Sequence, residues 1–196
     1  MVETKKKSKE IIEAEIVEFL NDKSAKVDTN PDDYSCGNIH NTSLVLATSY
    51  KDSPRATPLE FFNEGLNIYI FGSPGGKIGN IRKNRKVAAA IYEQPMVHSR
   101  IQKSLQIFGQ AELITVRDNP ELFWEKANKW AQYKVVQSLL SPLIRQQGLE
   151  VEDAEELTKR TIEATLLIKI VPHHIILREF HENFYWPTFH WKRGKH

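Results

Sequence analysis

The sequence predicts a mainly β domain of 196 residues, a small closed or split antiparallel barrel with helical additions. Residues 43–71 contain three short apolar runs separated by turn residues, the pattern of antiparallel strands joined by tight turns. Two longer apolar segments, 103–116 and 165–180, are long enough to bend around a barrel. Residues 119–164 have helical spacing instead, so we expect a helical insert before the last strand.

The first 42 residues predict an N-terminal helix followed by a loop. Apolar side chains recur at helical spacing over residues 8–20: Ile11, Ile12, Ile16, Phe19 and Leu20. This helix is expected to pack on the barrel or on a partner subunit. The loop contains Cys36, the only cysteine, so no intrachain disulfide can form, which is consistent with a reducing compartment. His40 could approach a ligand, although an exposed loop histidine is the more common case.

Residues 43–71 predict a three-stranded meander. The strands are expected at residues 43–50, 55–62 and 66–71, with turn residues between them. Gly65 supplies the positive φ that a tight connection between the second and third strands requires.

A glycine-rich loop, residues 72–76, follows the third strand and leads into a short basic segment, residues 77–84. Free backbone N–H groups at such a junction, together with a hydroxyl and an ammonium group, suit a phosphate. Ser73 and Lys77 are the side chains expected to bind it. The alternative is a glycine-rich hairpin followed by a solvated basic turn, because short glycine motifs are common. The loop matches neither a Walker motif nor GxGxxG.

Two central strands are expected at residues 87–93 and 103–116. The alanines of the first would allow another sheet or a flat ligand to approach closely. Gly109 in the second indicates a bulge or a close-approach point. The connection between these strands contains His98 and Arg100, and it either borders a ligand site or is simply exposed.

The helical insert begins with Asn119 as a capping residue and Pro120 at the first helical position. Pro142 is expected to kink or divide the first helix, and Gly148 to end it. A second helix is expected over residues 152–163. The apolar stripe of the insert could cover a substrate pocket, but apolar residues at helical spacing more often form plain core.

Residues 165–196 predict the last strand and an aromatic tail. Pro172 indicates a break or an edge in that strand. His173 and His174 are adjacent, so on a strand they point to opposite faces and do not suit one metal ion. The sequence contains no other metal-ligand spacing. Three tail residues are expected to seal the core or an interface and are also ligand candidates: Trp186, Trp191 and Arg193.

The overall composition argues against several classes of function. The net charge of +2 is too small to indicate a nucleic-acid partner. No apolar run reaches membrane-spanning length, and the mean hydropathy is −0.47. The N-terminal lysines are not followed by the apolar core of a signal peptide. We therefore expect a cytoplasmic protein with no nucleic-acid or membrane partner.

Several segments share their order and spacing with a known family. They are Arg55-Ala56-Thr57-Pro58-Leu59, the glycine-rich loop with Lys77, Asn80-Ile81, residues 84–88 and residues 105–113. Together they resemble the pyridoxamine 5'-phosphate oxidase-like FMN-binding split barrels. The likeness covers residues 43–116 and a final strand near residues 166–179. It implies that residues 1–196 form one split β-barrel domain with 43–116 as its core.

The resemblance implies FMN as the cofactor. Arg55, Ala56, Thr57 and Pro58 would line the flavin, with backbone groups of their strand facing the ring edge. Lys77 would hold the FMN phosphate together with Ser73.

Three positions differ from the family pattern. Gly75-Gly76-Lys77 stands where the family often has Ser-Arg-Lys, so a bidentate arginine clamp is missing at this point. Arg82, one helical turn on, is the candidate to replace it. Ser104 stands where many members carry a glutamine, and it is the cofactor-binding candidate on that strand. Glu60 stands where members can have lysine.

The resemblance further implies a homodimer with the cofactor at its interface and a two-electron reaction on a small organic molecule. In such a site the flavin supplies the redox chemistry, and the protein supplies position and electrostatics. The sequence offers no nucleophile or acid–base pair, so catalytic residues stay unassigned. The alternative is a non-catalytic module on the same fold that holds FMN, haem or deazaflavin. Oxidation of pyridoxamine phosphate itself is a third case, disfavoured because the phosphate clamp and the tail are not matched.

Overall fold

The computed structural model describes residues 7–27, 39–40, 44–92, 101–181 and 185–194. In chain order the elements are α1 (Lys9–Lys23), β1 (Lys26–Val27), β2 (Ile39–His40), β3 (Leu44–Tyr50), β4 (Ser53–Leu59), β5 (Phe62–Glu64), β6 (Asn67–Gly72), α2 (Gly76–Lys83), β7 (Lys86–Tyr92), β8 (Ile101–Ile114), α3 (Pro120–Lys129), α4 (Gln132–Gln147), α5 (Val151–Glu163), β9 (Leu166–His181) and β10 (Thr188–Lys192). Cys36, His98, Arg100 and the side chain of His40 lie outside the described residues.

One eight-stranded antiparallel sheet forms the barrel. Its strands follow the order β4-β3-β7-β8-β9-β6-β5, and β10 pairs with β9. The sheet is not closed, because strand pairing does not join β4 to β5 within the described residues. The predicted split β-barrel with an N-terminal helix and a helical insert is therefore confirmed. Within the described part of the chain, no helix is long and apolar enough to cross a membrane.

The predicted meander is wrong at its second strand. The expected strand 55–62 breaks at Glu60 and Phe61, so that β4 pairs with β3 while β5 pairs with β6 at the opposite edge of the sheet. Phe61 is fully buried, and its carbonyl accepts a hydrogen bond from the Ala25 amide at 2.7 Å. Burial of this ring turns the chain inward and carries it from one edge to the other. Gly65, at φ 55°, makes the next turn as predicted.

The two longest strands, β8 and β9, pair along most of their length, with a shift in register between Phe108 and Gly109. The predicted bulge at Gly109 is confirmed. The sequence predicts a break or an edge strand at Pro172. Instead, Pro172 lies within β9, directly opposite Gly109. The irregular pairing at the bulge accommodates a residue that has no N–H donor.

Helix α1 packs on the core inside the barrel. Its N-cap residue Ser8 accepts a hydrogen bond from the Ile11 amide, and its apolar stripe is buried with the strands. The tail adds strand β10, which the sequence reasoning did not predict. Trp191 on β10 is buried and donates its indole N–H to Glu13 of α1 at 2.6 Å. This tail tryptophan therefore seals the core.

The helical insert covers the other face of β5 and β6. The side chain of Asn119 accepts a hydrogen bond from the Leu122 amide, which confirms the predicted helix start. Phe123 and Ala127 are buried in a second core between the insert and the sheet. The apolar stripe of α3 therefore belongs to the core, which is the interpretation that the sequence favours over a cover for a substrate pocket. Gly148, at φ 60°, ends α4 as predicted.

Pro142 does not divide the insert. The division falls at Ala131, which has a φ of 47°, and Pro142 lies inside α4. A proline there removes the N–H donor that the Ser138 carbonyl would normally receive. The Ser141 hydroxyl donates to that carbonyl at 2.8 Å instead. This side-chain bond compensates part of the cost and lets the helix continue.

Candidate functional site

The glycine-rich loop presents the start of helix α2 to solvent. Gly75 is the N-cap residue, and among the described residues no side chain caps the helix. The first backbone N–H groups of a helix have no partner within it, so they are available to an anion here. The positive end of the helix dipole adds to this preference.

Two cationic side chains flank this loop. A Cβ built on Gly76 would lie 2.7 Å from Cζ, Nε and Nη2 of Arg55, so the guanidinium rests directly on that glycine. Lys77 donates from Nζ to the Ser73 carbonyl at 3.3 Å. The structure therefore brings Arg55, Ser73 and Lys77 together, although Ser73 comes 18 positions after Arg55 in the chain.

The position of Arg55 matters because the glycine-rich loop has Gly76 where the resembled family often has an arginine. Glycine at position 76 leaves space that the guanidinium of Arg55 fills from the neighbouring strand. Arg82, one helical turn beyond Lys77, lines a different cavity with Arg85, Glu112 and Asp118. Arg55 is thus the arginine placed to contact an anion at the loop.

The other flavin-lining candidates lie on β4, an edge strand that pairs with β3 alone. Ala56 and Pro58 are exposed, and Thr57 is half-buried. An exposed strand edge offers backbone N–H and C=O groups to a ligand or a second chain. Arg55 lies on this edge, so the edge is continuous with the cationic loop.

Ser104 lies apart from this cluster within one chain. Ala47 on β3 lies diagonal to Arg55 on β4. Ala47 pairs with Ala88 on β7, which in turn pairs with Phe108 on β8. Ser104 is four residues further along β8, roughly 13 Å at the usual rise of a strand. One protomer alone therefore does not bring Ser104 to the loop.

A cavity of about 400 Å³ opens beside the glycine-rich loop. It lies between the sheet and helix α4, and its lining includes Gly72 and Ser73 of the loop and Glu60 just beyond β4. The sequence analysis allowed for a pocket covered by the insert but did not locate it. The apolar spacing of α4 was the available signal, but it does not show where a helix leaves a space.

The two adjacent histidines of β9 have different surroundings. Nε2 of His174 lies 3.1 Å from Nδ1 of His190, and burial followed by the neighbouring His190 lowers the pKa of His174. His173 lines a cavity with Arg85 and Arg193. Among the described residues, no group of three or more His, Cys, Asp or Glu is placed to hold a metal ion.

The remaining tail candidates make structural contacts. Nε of Arg193 donates to the Pro172 carbonyl at 2.9 Å, and the ring of Trp186 packs edge-on against Phe180. With Trp191 buried, none of the three tail residues lines the cavity beside the loop.

Comparison with known proteins gives one family and several structures. Residues 39–169 match the family described as Pyridoxamine 5'-phosphate oxidase. An FAD-binding protein from Mesorhizobium loti is 22% identical, with 71% of this chain and 86% of that one covered and a TM-score of 0.45. PhzG from Burkholderia lata 383, solved with tetrahydrophenazine-1-carboxylic acid, is 11% identical, with coverage of 78% and 82% and a TM-score of 0.45. General Stress Protein 26 from Bacillus anthracis is 17% identical, with coverage of 76% and 89% and a TM-score of 0.41. No curated protein matches. The family match spans β4, the glycine-rich loop and Ser104.

Proposed function

The chain belongs to the pyridoxamine 5'-phosphate oxidase family, and on that premise we propose that it is an FMN-binding oxidoreductase acting on a small organic molecule. One observation carries the cofactor assignment. The guanidinium of Arg55 lies on Gly76 at the start of α2, beside Lys77 and Ser73. Two cations and a group of free N–H donors at one point suit the phosphate of a flavin nucleotide.

The residues fit this cofactor in a specific way. Arg55 and Lys77 would neutralise the phosphate, the N–H groups at the start of α2 would donate to it, and Ser73 would contribute its hydroxyl. Ala56, Thr57 and Pro58 would offer the free edge of β4 to the ring. When bound, the flavin would supply two-electron transfer. The protein's part is then to hold the cofactor and to orient the second reactant.

Two variants test this placement. Arg55→Ala and Lys77→Ala should each weaken FMN binding by about tenfold or more, because each removes a charge-assisted hydrogen bond to the phosphate. Titration of the cofactor-free protein with FMN, followed by flavin fluorescence, measures the change. Arg82→Ala is the matched control and should leave the affinity unchanged, since Arg82 lines a different cavity. Wild-type affinity in both Arg55→Ala and Lys77→Ala would show that the phosphate binds elsewhere.

We further propose a homodimer with the flavin at its interface. On the outer face of β3 and β7, Val45 is 38% exposed and Tyr92 is 51% exposed. Exposure of this apolar surface to water is unfavourable, and pairing with a second copy would bury it. Such a partner could also bring its Ser104 to a flavin held at Arg55 and Lys77, which one protomer does not. Light scattering of the FMN complex should give twice the chain mass. A monomer with one flavin per chain would contradict the interface site.

Oxidoreductase activity needs a separate test from binding. A nicotinamide or deazaflavin donor mixed with the FMN complex should bleach the flavin absorbance if the protein catalyses reduction. Bound flavin that stays oxidised with every donor would instead support the non-catalytic binding module.

A further inference from the structure

We propose that the cavity between the sheet and helix α4 binds a neutral, flat aromatic molecule. Its volume of about 400 Å³ falls in the range of ~300–1,000 Å³ that small-molecule sites occupy, near the lower end. A bicyclic aromatic compound fits such a space. We call this space the α4 cavity.

Aromatic and aliphatic side chains from both the sheet and α4 line the cavity. Phe62 and Phe71 contribute from the sheet, and Val135, Val136 and Leu139 contribute from α4. Trp130 stacks on Phe62 with ring centroids 4.9 Å apart and meets Phe71 edge-on at 6.3 Å. These packed rings fix the wall in place, and aromatic surfaces favour stacked or edge-on contact with another ring.

The polar groups of the α4 cavity argue against an anionic occupant. Among the residues that the structure describes, Glu60 is the only charged one in its lining, and it is exposed. The buried Gln132 donates to the Trp130 carbonyl at 3.2 Å, and the Thr165 hydroxyl donates to the Ile162 carbonyl at 2.7 Å. The hydroxyls of Ser73 and Ser138 also line the cavity, so its described polar groups are neutral apart from one exposed carboxylate, and an uncharged ligand is favoured.

The location of the cavity connects it to the proposed reaction. It contacts Ser73 of the glycine-rich loop and Glu60, two residues beyond Pro58 on the flavin-lining strand. We therefore assign its occupant as the aromatic part of the flavin's reaction partner, an assignment that rests on the proposed function. Leu139, 74% exposed beside the opening, would cover the bound ring.

The test uses N-phenyl-1-naphthylamine, a neutral aromatic dye whose fluorescence rises in apolar surroundings. The full chain should show saturable binding. Val135→Trp fills the cavity and should weaken binding by about tenfold or more, whereas Val151→Trp places the same side chain on the exposed start of α5 and should leave binding unchanged. Leu139→Ser should weaken binding by about threefold without disturbing the core. Its control is Leu143→Ser, one turn further along α4 and outside the lining.

The dye and FMN titrations separate the two proposals. No saturable dye binding, or equal affinity in wild type, Leu139→Ser and a folded Val135→Trp, overturns the α4 cavity as a ligand site even if FMN binds normally. Dye binding with the expected variant pattern in a protein that does not bind FMN overturns the assignment of the occupant as a flavin substrate. Dye binding that responds as expected, together with intact FMN binding in Leu139→Ser, supports both.

Discussion

Gly109→Ala is expected to destabilise the protein by about 3 kcal/mol, one of the two largest effects predicted here. A Cβ at this position would lie 2.7 Å from the Val171 carbonyl oxygen and 3.1 Å from Cα of Pro172. Both are backbone atoms of β9, so relief of the clash requires the longest strand pair of the barrel to separate at its bulge. Urea unfolding at neutral pH measures the loss.

Gly76→Ala provides the matched comparison. Its Cβ would also come within 2.7 Å of a neighbour, but that neighbour is the guanidinium of Arg55, the end of a flexible side chain. We expect a stability change within about 0.5 kcal/mol, with FMN affinity reduced as in Arg55→Ala. Equal stability losses in Gly76→Ala and Gly109→Ala would contradict the distinction between backbone and side-chain contacts.

Glu64→Gln is expected to cost about 2 to 3 kcal/mol at pH 7. Both carboxylate oxygens of Glu64 on β5 accept hydrogen bonds from Nζ of Lys126, at 2.7 and 2.8 Å, and Lys129 lies at 2.5 Å. The side chain of Lys126 is only 7% exposed, next to the rings of Tyr69 and Trp130. Removal of the Glu64 charge leaves this lysine in the core between barrel and insert with a weaker set of partners.

The pH dependence of this pair has a defined sign. Burial alone would raise the pKa of Glu64, but the hydrogen bonds and charges of Lys126 and Lys129 outweigh it and lower the pKa from 4.5 to about 2. A depressed carboxyl pKa stabilises the fold fully above pH 4.5, and this contribution is lost as the pH falls from 4.5 to about 2. The stability difference between wild type and Glu64→Gln should therefore shrink across that window.

Two control variants make the result specific. Glu125 also contacts Lys126, at 2.6 Å, but its side chain is 61% exposed, so Glu125→Gln should cost less than about 0.5 kcal/mol. Lys126→Met in the Glu64→Gln background should recover part of the loss, because the buried charge is removed while the apolar stem remains. If Glu125→Gln is as harmful as Glu64→Gln, burial is not the cause.

Local sequence rules predicted those elements whose determinants lie within a few residues. Asn119 and Pro120 specify a helix start, Gly65 and Gly148 meet the need for positive φ, and Gly109 marks the bulge. Pro142 does not divide the insert, because the neighbouring Ser141 hydroxyl donates to the carbonyl that the proline leaves without its N–H partner. The local rules failed at β10, because the tail becomes a strand only when β9 offers its edge.

In the candidate site, too, the sequence identified residues whose arrangement only the structure shows. The sequence and its family resemblance named Arg55, Ser73 and Lys77, but they placed Arg55 at the ring and offered Arg82 as the replacement arginine for the phosphate loop. The structure puts the Arg55 guanidinium on Gly76, and this position depends on how β4 lies against the loop. The α4 cavity likewise exists because α4 stands off from Phe62 and Phe71, which no periodicity specifies.

By itself, the sequence determined most of the strands and helices, the helix start at Asn119 and the left-handed turns at Gly65 and Gly148, because short-range sterics and hydrogen bonds fix these. The order of its motifs indicated the family. Only the tertiary structure decided that burial of Phe61 splits a strand between two sheet edges. It alone joined Glu64 to Lys126 and brought Arg55 to Gly76. Such contacts join residues far apart in the chain, so their geometry is set by the packing of the whole domain and cannot be obtained from local preferences.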